Sequence, residues 1–321
     1  MLASLMKHYF ITLLFISAFL SNAVAHAGKY EHIFCGGPSG GTFMFYANAI
    51  SNILKKDDVK ITAVASKGSI DNIRMVDSGA AEFGIVYTED VYQANKGELR
   101  GDNFRYKNVR YIGFLYYAPV QIIVRKDSGI YTLNDLKGKR VAVGGIGSGS
   151  ASNAERLLSA AGVWSGVTKY YIGYRNALGA FNNKLIDALW IYAGAPNATV
   201  AEAEETKNIR LLDLSRDIEI HRLTERYPFI RTFTIPADTY STITKSVNTL
   251  SGAAILVANN KVPDEDVYFI LKKIYSDESV KYLYSQHSSA KNMMSKEMMM
   301  NITTPFHPGA LRFWKEKGFI K

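Results

Sequence analysis

A single cysteine, Cys35, among 321 residues leaves this chain no internal disulfide. Eight prolines and no long Ser/Pro stretch leave no extended linker between its halves. Beyond residue 27 no apolar run reaches the roughly 20 residues that a membrane-crossing helix needs, so a soluble mature product is expected. No His/Cys spacing suits zinc, and no basic run is interleaved with aromatics, so neither a metal nor a nucleic acid is expected as partner. No glycine loop ends in Gly-Lys-Ser/Thr, and none has the G-x-G-x-x-G register, which excludes phosphate-loop and dinucleotide motifs. No convergent acid–base or nucleophile–base pair stands out, so no enzymatic activity and no cofactor are expected.

What is present begins with a leader. Lys7 and His8 precede an apolar run over 9–20, and A-x-A matches follow at Ala23-Val24-Ala25 and Ala25-His26-Ala27. A short positive region, about a dozen apolar residues and a small-residue site predict a secretory signal over 1–27, cleaved after Ala25 or Ala27. The periplasm is the expected destination; an uncleaved anchor is the alternative. The remainder, in a chain that is 47% hydrophobic and 12% aromatic, can fill one large or two medium cores. The formal net charge is +9, and Lys7 is the only Lys, Arg, Asp or Glu in the leader. A positive balance favours anionic ligands, although solubility alone would also explain it.

One local pattern occurs twice. His32-Ile33-Phe34-Cys35 leads into Gly36-Gly37-Pro38-Ser39-Gly40-Gly41-Thr42 and then a helical pattern over 43–54. Arg140-Val141-Ala142-Val143 leads into Gly144-Gly145-Ile146-Gly147-Ser148-Gly149-Ser150 and then a helical pattern over 151–161. Each predicts strand, glycine-rich turn and helix. Helix N-termini carry unpaired N–H groups and a positive dipole end, and glycines let a ligand approach them. Two such units predict two α/β lobes with anion-friendly helix ends aimed at a shared cleft.

Further strand-like runs lie at 59–64, 83–87, 111–115, 120–125, 189–192, 209–214 and 253–257. Helical stretches include 69–78, 177–184, 264–276 and 279–285. The alternation predicts mostly parallel, covered sheets, with the chain crossing between lobes near 117–118 and 250–252. Ser66 and Ser69 are candidate cleft donors, with Ser69 read as a helix N-cap. Tyr87, Tyr116 and Tyr117 fit core and ligand lid equally. Cys35 reads as a small buried hydrophobe, His307 as a turn residue bonded to backbone, Asp187 as structural, and the methionines over 293–300 as adaptable packing.

Several of these segments occur together and in order. Ser39-Gly40-Gly41-Thr42 precedes Gly68-Ser69-Ile70-Asp71-Asn72-Ile73-Arg74, and then Asp127-Ser128-Gly129-Ile130 and Asp135-Leu136-Lys137-Gly138-Lys139-Arg140-Val141 follow. Next come Gly147-Ser148-Gly149-Ser150, Ile186-Asp187-Ala188-Leu189, Gly194-Ala195-Pro196 and finally His307-Pro308-Gly309-Ala310. In this combination the chain resembles the TAXI family, the TRAP-associated extracytoplasmic immunogenic proteins, over almost all of its mature length. The resemblance implies a type II periplasmic-binding-protein-like fold, two hinged α/β lobes around a ligand cleft. It also implies a TRAP-type membrane transporter as partner and a glutamate-, glutamine- or 2-oxoglutarate-like ligand. The family's loop pattern falls on Gly40, Gly41 and Thr42 and on Ser148 and Ser150, where many relatives have Thr at position 150. Ala118 and Gln121 depart from the usual acidic residue and histidine, and Asn183-Lys184 stands where a glycine is common.

The expected architecture is a first lobe of 28–117 and 251–321 and a second of 118–250. The expected ligand contacts are Gly40, Gly41, Thr42, Ser66, Ser69, Tyr87, Ser148, Gly149, Ser150, Gly194 and Pro196. The expected function is capture of a small organic anion by a monomer. Alternatives are an ABC-type or sensor-linked binding protein of the same fold, and, further off, a surface interaction protein or periplasmic enzyme.

Overall fold

The computed structural model describes residues 31–38, 41–57, 59–99, 102–295 and 302–321. The leader at 1–27, Gly40 and most of the methionine cluster therefore lie outside the described residues; Met293 is buried.

Ten strands form one continuous mixed sheet. In chain order they are β1 (Glu31–Cys35), β2 (Lys60–Val64), β3 (Phe83–Tyr87), β4 (Val109–Arg125), β5 (Arg140–Ala142), β6 (Thr168–Tyr170), β7 (Ala188–Tyr192), β8 (Ile209–Leu211), β9 (Arg231–Ile235) and β10 (Val247–Asn259). The spatial order is β2-β1-β3-β10-β4-β7-β5-β6, with β8 added to β4 and β9 to β10. The parallel sets β2-β1-β3 and β7-β5-β6 lie on either side of the antiparallel β10–β4 pair. Each set carries its own helices, which makes two α/β lobes joined through two long strands.

Those strands are where the sequence pattern and the fold differ most. Residues 111–115 and 120–125 read as two runs, yet β4 is continuous for 17 residues. Pro119, which suggested the break, pairs opposite Ser251 at the last position shared with β10, and Val120 starts the ladder with β7. A residue without an N–H is tolerated where one ladder ends and another begins. β10 likewise extends well beyond the expected 253–257.

Four strand–loop–helix units position the site. β1 leads to α1 (Thr42–Lys55), and β5, β6 and β7 lead to later helices described below. Helix α1 buries Phe43, Tyr46, Ala47, Ile50, Ile53 and Leu54, the i, i+3, i+4, i+7 stripe of a core-facing helix. Next come α2 (Ser69–Ser78), whose Ile73 and Val76 face the core, and α3 (Thr88–Lys96), which starts directly at the end of β3. The main apolar cluster includes Phe34, Tyr46, Val86, Phe114, Trp190 and Trp314; a smaller one gathers Ile123, Phe181, Leu189 and Ile191.

The residues read as structural behave so. The Cys35 thiol is buried and donates to the Phe83 carbonyl at 3.2 Å, and burial pushes it up to about 12. His307 is fully buried at the start of the helix Pro308–Glu316, where its Nδ1 accepts from the Gly309 N–H. Asp187 holds Arg140 at 2.8 Å and Arg125 at 3.4 Å, and the Arg140 hydrogen bond keeps its carboxyl below the usual range.

Candidate functional site

Helix α4 (Gly149–Ala160) begins after β5, α5 (Tyr174–Asn182) after β6, and α6 (Ala198–Glu204) after β7. The loops before α1, α4, α5 and α6 all open onto one cleft of about 460 Å³. Ligands in open α/β sheets bind outside the carboxyl ends of the strands, and these four loops are such ends.

The wall from α1 consists of Pro38, Gly41, Thr42 and Phe45. Gly41 is the N-cap of α1 and supplies no side-chain cap, which leaves the first amides of the helix without that competitor. The wall from α4 consists of Gly144, Gly145 and Ser148. Gly144 and Gly147 adopt φ of +104° and +80°, and a Cβ on Gly144 would come within 2.7 Å of the Ser150 Cβ. Only glycine makes this turn at little cost. Ser148 caps α4 by accepting from the Ala151 N–H at 3.2 Å.

Two further walls have little signal in the sequence. Gly173, Tyr174, Arg175 and Asn176 bring the N-terminus of α5 to the cleft, and Asn197, Ala198 and Thr199 close it from the β7 side. Asn197 is held by a relay: its N–H donates to the Tyr240 hydroxyl at 2.7 Å, Tyr240 donates to Gln121 Oε1, and Gln121 Nε2 donates to the Ala193 carbonyl at 3.1 Å. Gln121 thus holds a cleft loop through Tyr240. Among the described residues the charged lining groups are Arg175 and Glu202, both exposed at the rim, and His287 completes the lining.

Of the eleven residues expected to contact ligand, Gly41, Thr42 and Ser148 line the cleft. Ser150 lies just beneath it, 4% exposed, with its Oγ 2.9 Å from the Tyr174 hydroxyl and accepting the Tyr192 N–H at 3.2 Å. Tyr87 donates its hydroxyl to the Tyr192 carbonyl at 2.7 Å and packs between Phe43 and Tyr192, bridging the two lobes. Gly149 meets that bridge: a Cβ there would sit 2.2 Å from the Tyr87 ring. Ser66 accepts from the Gly68 N–H and donates to the Gly36 carbonyl. Ser69 is fully buried and accepts from the Tyr87 N–H at 2.9 Å. It is the first residue of α2, not its cap; Gly68, at φ +120°, takes the cap position, because only glycine readily holds that angle where the backbone nears Ser148. Gly194 packs against Ser289, and Pro196, exposed, follows a cis peptide bond.

Below this floor lies a buried charge cluster. Glu89 and Asp90 of α3 are fully buried, and Arg156 of α4 is 7% exposed. Arg156 lies 3.8 Å from Glu89 and 3.4 Å from Asp90, and Ser152 donates to Asp90 at 2.8 Å. Burial, reinforced by the neighbouring Asp90 charge, pushes the Glu89 carboxyl up to about 7; burial raises Asp90 as well. Gly252 of β10 makes room for this cluster, since a Cβ there would strike the Tyr192 hydroxyl and Glu89.

A larger depression of about 590 Å³ lies between α1 and the helices near Lys272 and Ser279. It has no such convergence of loops, and its Lys56 and Lys273 are paired with Glu278 and Asp57. The smaller cleft is therefore the better candidate. Among the described residues no group of three His, Cys, Asp or Glu could hold a metal ion, and no helix is long and apolar enough to cross a membrane.

A model of the NMT1-like family matches residues 34–318. The chain is similar to a solved structure described as a periplasmic transporter, with 12% identity, 92% of this chain and 95% of the other covered, and a TM-score of 0.54. It is similar to the substrate binding protein of an amino acid ABC transporter at 16% identity, over 79% and 97% of the two chains, with a TM-score of 0.50. A protein from Bordetella bronchiseptica RB50 matches at 14% identity, over 91% and 90%, also with a TM-score of 0.50. At these identities the likeness is one of fold, and the two-lobed α/β architecture is that of type II periplasmic-binding proteins.

Proposed function

We infer, from a chain that belongs to the NMT1-like family, that the protein is a small-molecule-binding member of the periplasmic-binding superfamily, and that its ligand is a small organic anion. One observation carries the anion reading: the N-termini of α1, α4 and α5 converge on a single cleft, at whose rim the charges of Arg175 and Glu202 balance. Each helix end contributes about 0.3–1 kcal/mol toward an anion, more where water is excluded. The lining hydroxyls of Thr42 and Ser148 add donors without adding charge, whereas the Tyr174 hydroxyl is spent on the Tyr192 carbonyl. No catalytic step is assigned; binding and closure are the activity.

The lobes are proposed to comprise 28–117 with 251–321, and 118–250, hinging where β4 and β10 cross. The leader would deliver the protein to the periplasm. The motif resemblance favours a TRAP-type transporter as recipient and a glutamate-, glutamine- or 2-oxoglutarate-like ligand. An ABC-type or sensor-linked role stands beside it, since a substrate binding protein of an ABC transporter shares the fold. Co-purification from cells with each class of membrane subunit distinguishes the two.

The ligand class is tested by mass spectrometry of the small molecule released when freshly purified protein is denatured. A carboxylic acid of amino-acid size is expected. Release of a sugar or polyamine in stoichiometric amount would contradict the anion reading.

A further inference from the structure

His287 lines the cleft at the start of the short 3-10 helix Ser288–Asn292, opposite the loops of the second lobe. Its ring is half-buried beside Phe45 and Tyr46, with centroids at 5.6 and 5.8 Å. The Ser289 backbone N–H donates to His287 Nδ1 at 3.2 Å. An amide N–H can only donate, so Nδ1 holds its lone pair and the ring proton of the neutral imidazole sits on Nε2. The Ser289 hydroxyl lies 2.7 Å from the same Nδ1 and 2.8 Å from the Tyr46 hydroxyl. With the serine donating to Nδ1, Tyr46 donates to the serine, and one direction of hydrogen bonding runs Tyr46, Ser289, His287.

This relay is built in rather than incidental. Tyr46 is fully buried and stacked on Tyr116 at 5.2 Å, so its hydroxyl is fixed. Gly194, from the far lobe, must lack a side chain because a Cβ would come within 2.8 Å of the Ser289 Cβ. Burial holds the His287 imidazole below the ordinary histidine range, which keeps it neutral. Nε2 has no protein hydrogen-bond partner among the described residues, while the ring lines the cleft.

We propose that His287 is a specificity-determining residue that presents a fixed Nε2–H donor to the ligand, with Ser289 and Tyr46 as positioning residues. The group it recognises is an acceptor oxygen, a carboxylate or keto oxygen, and an ammonium at that end of the ligand is disfavoured. This rests on the anion reading above.

The test has one arm without ligand and one with it. In 15N-labelled protein, long-range proton–nitrogen spectra report the tautomer of each histidine. His287 should be the Nε2–H form alone, and should stay so in Ser289→Ala, which keeps the backbone N–H that donates to Nδ1. Calorimetry then compares wild type with His287→Phe and His287→Gln, using L-glutamate, 2-oxoglutarate and succinate as probes. Phenylalanine keeps the ring and loses the donor, and should weaken the bound acid at least about tenfold; glutamine restores a donor near Nε2 and should stay within about threefold. Binding by wild type that His287→Phe leaves unchanged, or an Nδ1–H tautomer, overturns the donor. If wild type binds none of the acids, the anion reading fails and the donor role fails with it.

Discussion

Replacing Arg156 with methionine should lower stability by about 3–5 kcal/mol, the usual cost of leaving a buried charge without its partner. Arg156 faces two fully buried carboxyls, Glu89 and Asp90, from the other lobe. Without it their charge must be either neutralised or hydrated by parting the lobes. Urea unfolding at about pH 8 measures the loss, and a change below about 1 kcal/mol, typical of exposed pairs, would contradict the buried cluster. The same cluster gives the wild type a signed pH dependence. The Glu89 carboxyl stands at about 7 in the folded protein against a reference of 4.5. A raised carboxyl pKa means the folded state binds the extra proton. Its contribution is therefore fully present below 4.5 and is lost as pH rises through about 7. Glu89→Gln should flatten that slope, seen as a melting temperature that no longer falls over this window.

Gly149→Val should weaken ligand binding at least tenfold, about 1.4 kcal/mol or more. The added Cβ would sit 2.2 Å from the Tyr87 ring and 3.0 Å from the Asp90 carboxylate. Tyr87 cannot easily yield, because its hydroxyl is tied to Tyr192 and its ring packs against Phe43 and Tyr192. The lobes would be wedged apart at the point where α4 meets β3, at an overpacking cost of about 1–3 kcal/mol. Circular dichroism should remain near native, since each strand set keeps its own helices. Gly41→Val should be milder: its φ is an ordinary −84°, and the nearest atom to a new Cβ is the Pro38 carbonyl at 3.0 Å. Gly179→Ala, outside the cleft lining and with nothing within 4 Å, is the control. Calorimetry showing equal affinity for wild type and Gly149→Val would remove the lobe contact from the account.

The repeated strand–glycine–helix unit was legible because its signals are local: a β-branched or apolar run, glycines, then a 3.6-residue stripe. β1 with α1 and β5 with α4 follow that reading closely. The long strands were less legible because pairing partners lie far away in sequence; Pro119 reads locally as a break and is accommodated by Ser251, more than a hundred residues later. The site divides the same way. Gly41, Thr42 and Ser148 could be found from the loops that contain them, whereas α5 reaches the cleft through a short strand and one glycine, Gly173. Nothing around His287 marks it in sequence; its place depends on Tyr46 and Gly194 packing against Ser289. The charge cluster of Glu89, Asp90 and Arg156 was likewise invisible, because local sequence does not say which charges are buried together.

The most direct test of the central account is a thermal-shift panel on purified protein with small carboxylic acids, acidic and cationic amino acids, and sugars. A ligand present at about 100 times its dissociation constant adds roughly 2.7 kcal/mol to the folded state. A cleft formed by three helix N-termini should give that stabilisation with a small dicarboxylate or acidic amino acid. Stabilisation by sugars or cationic amino acids alone, with none from any carboxylate, would contradict it.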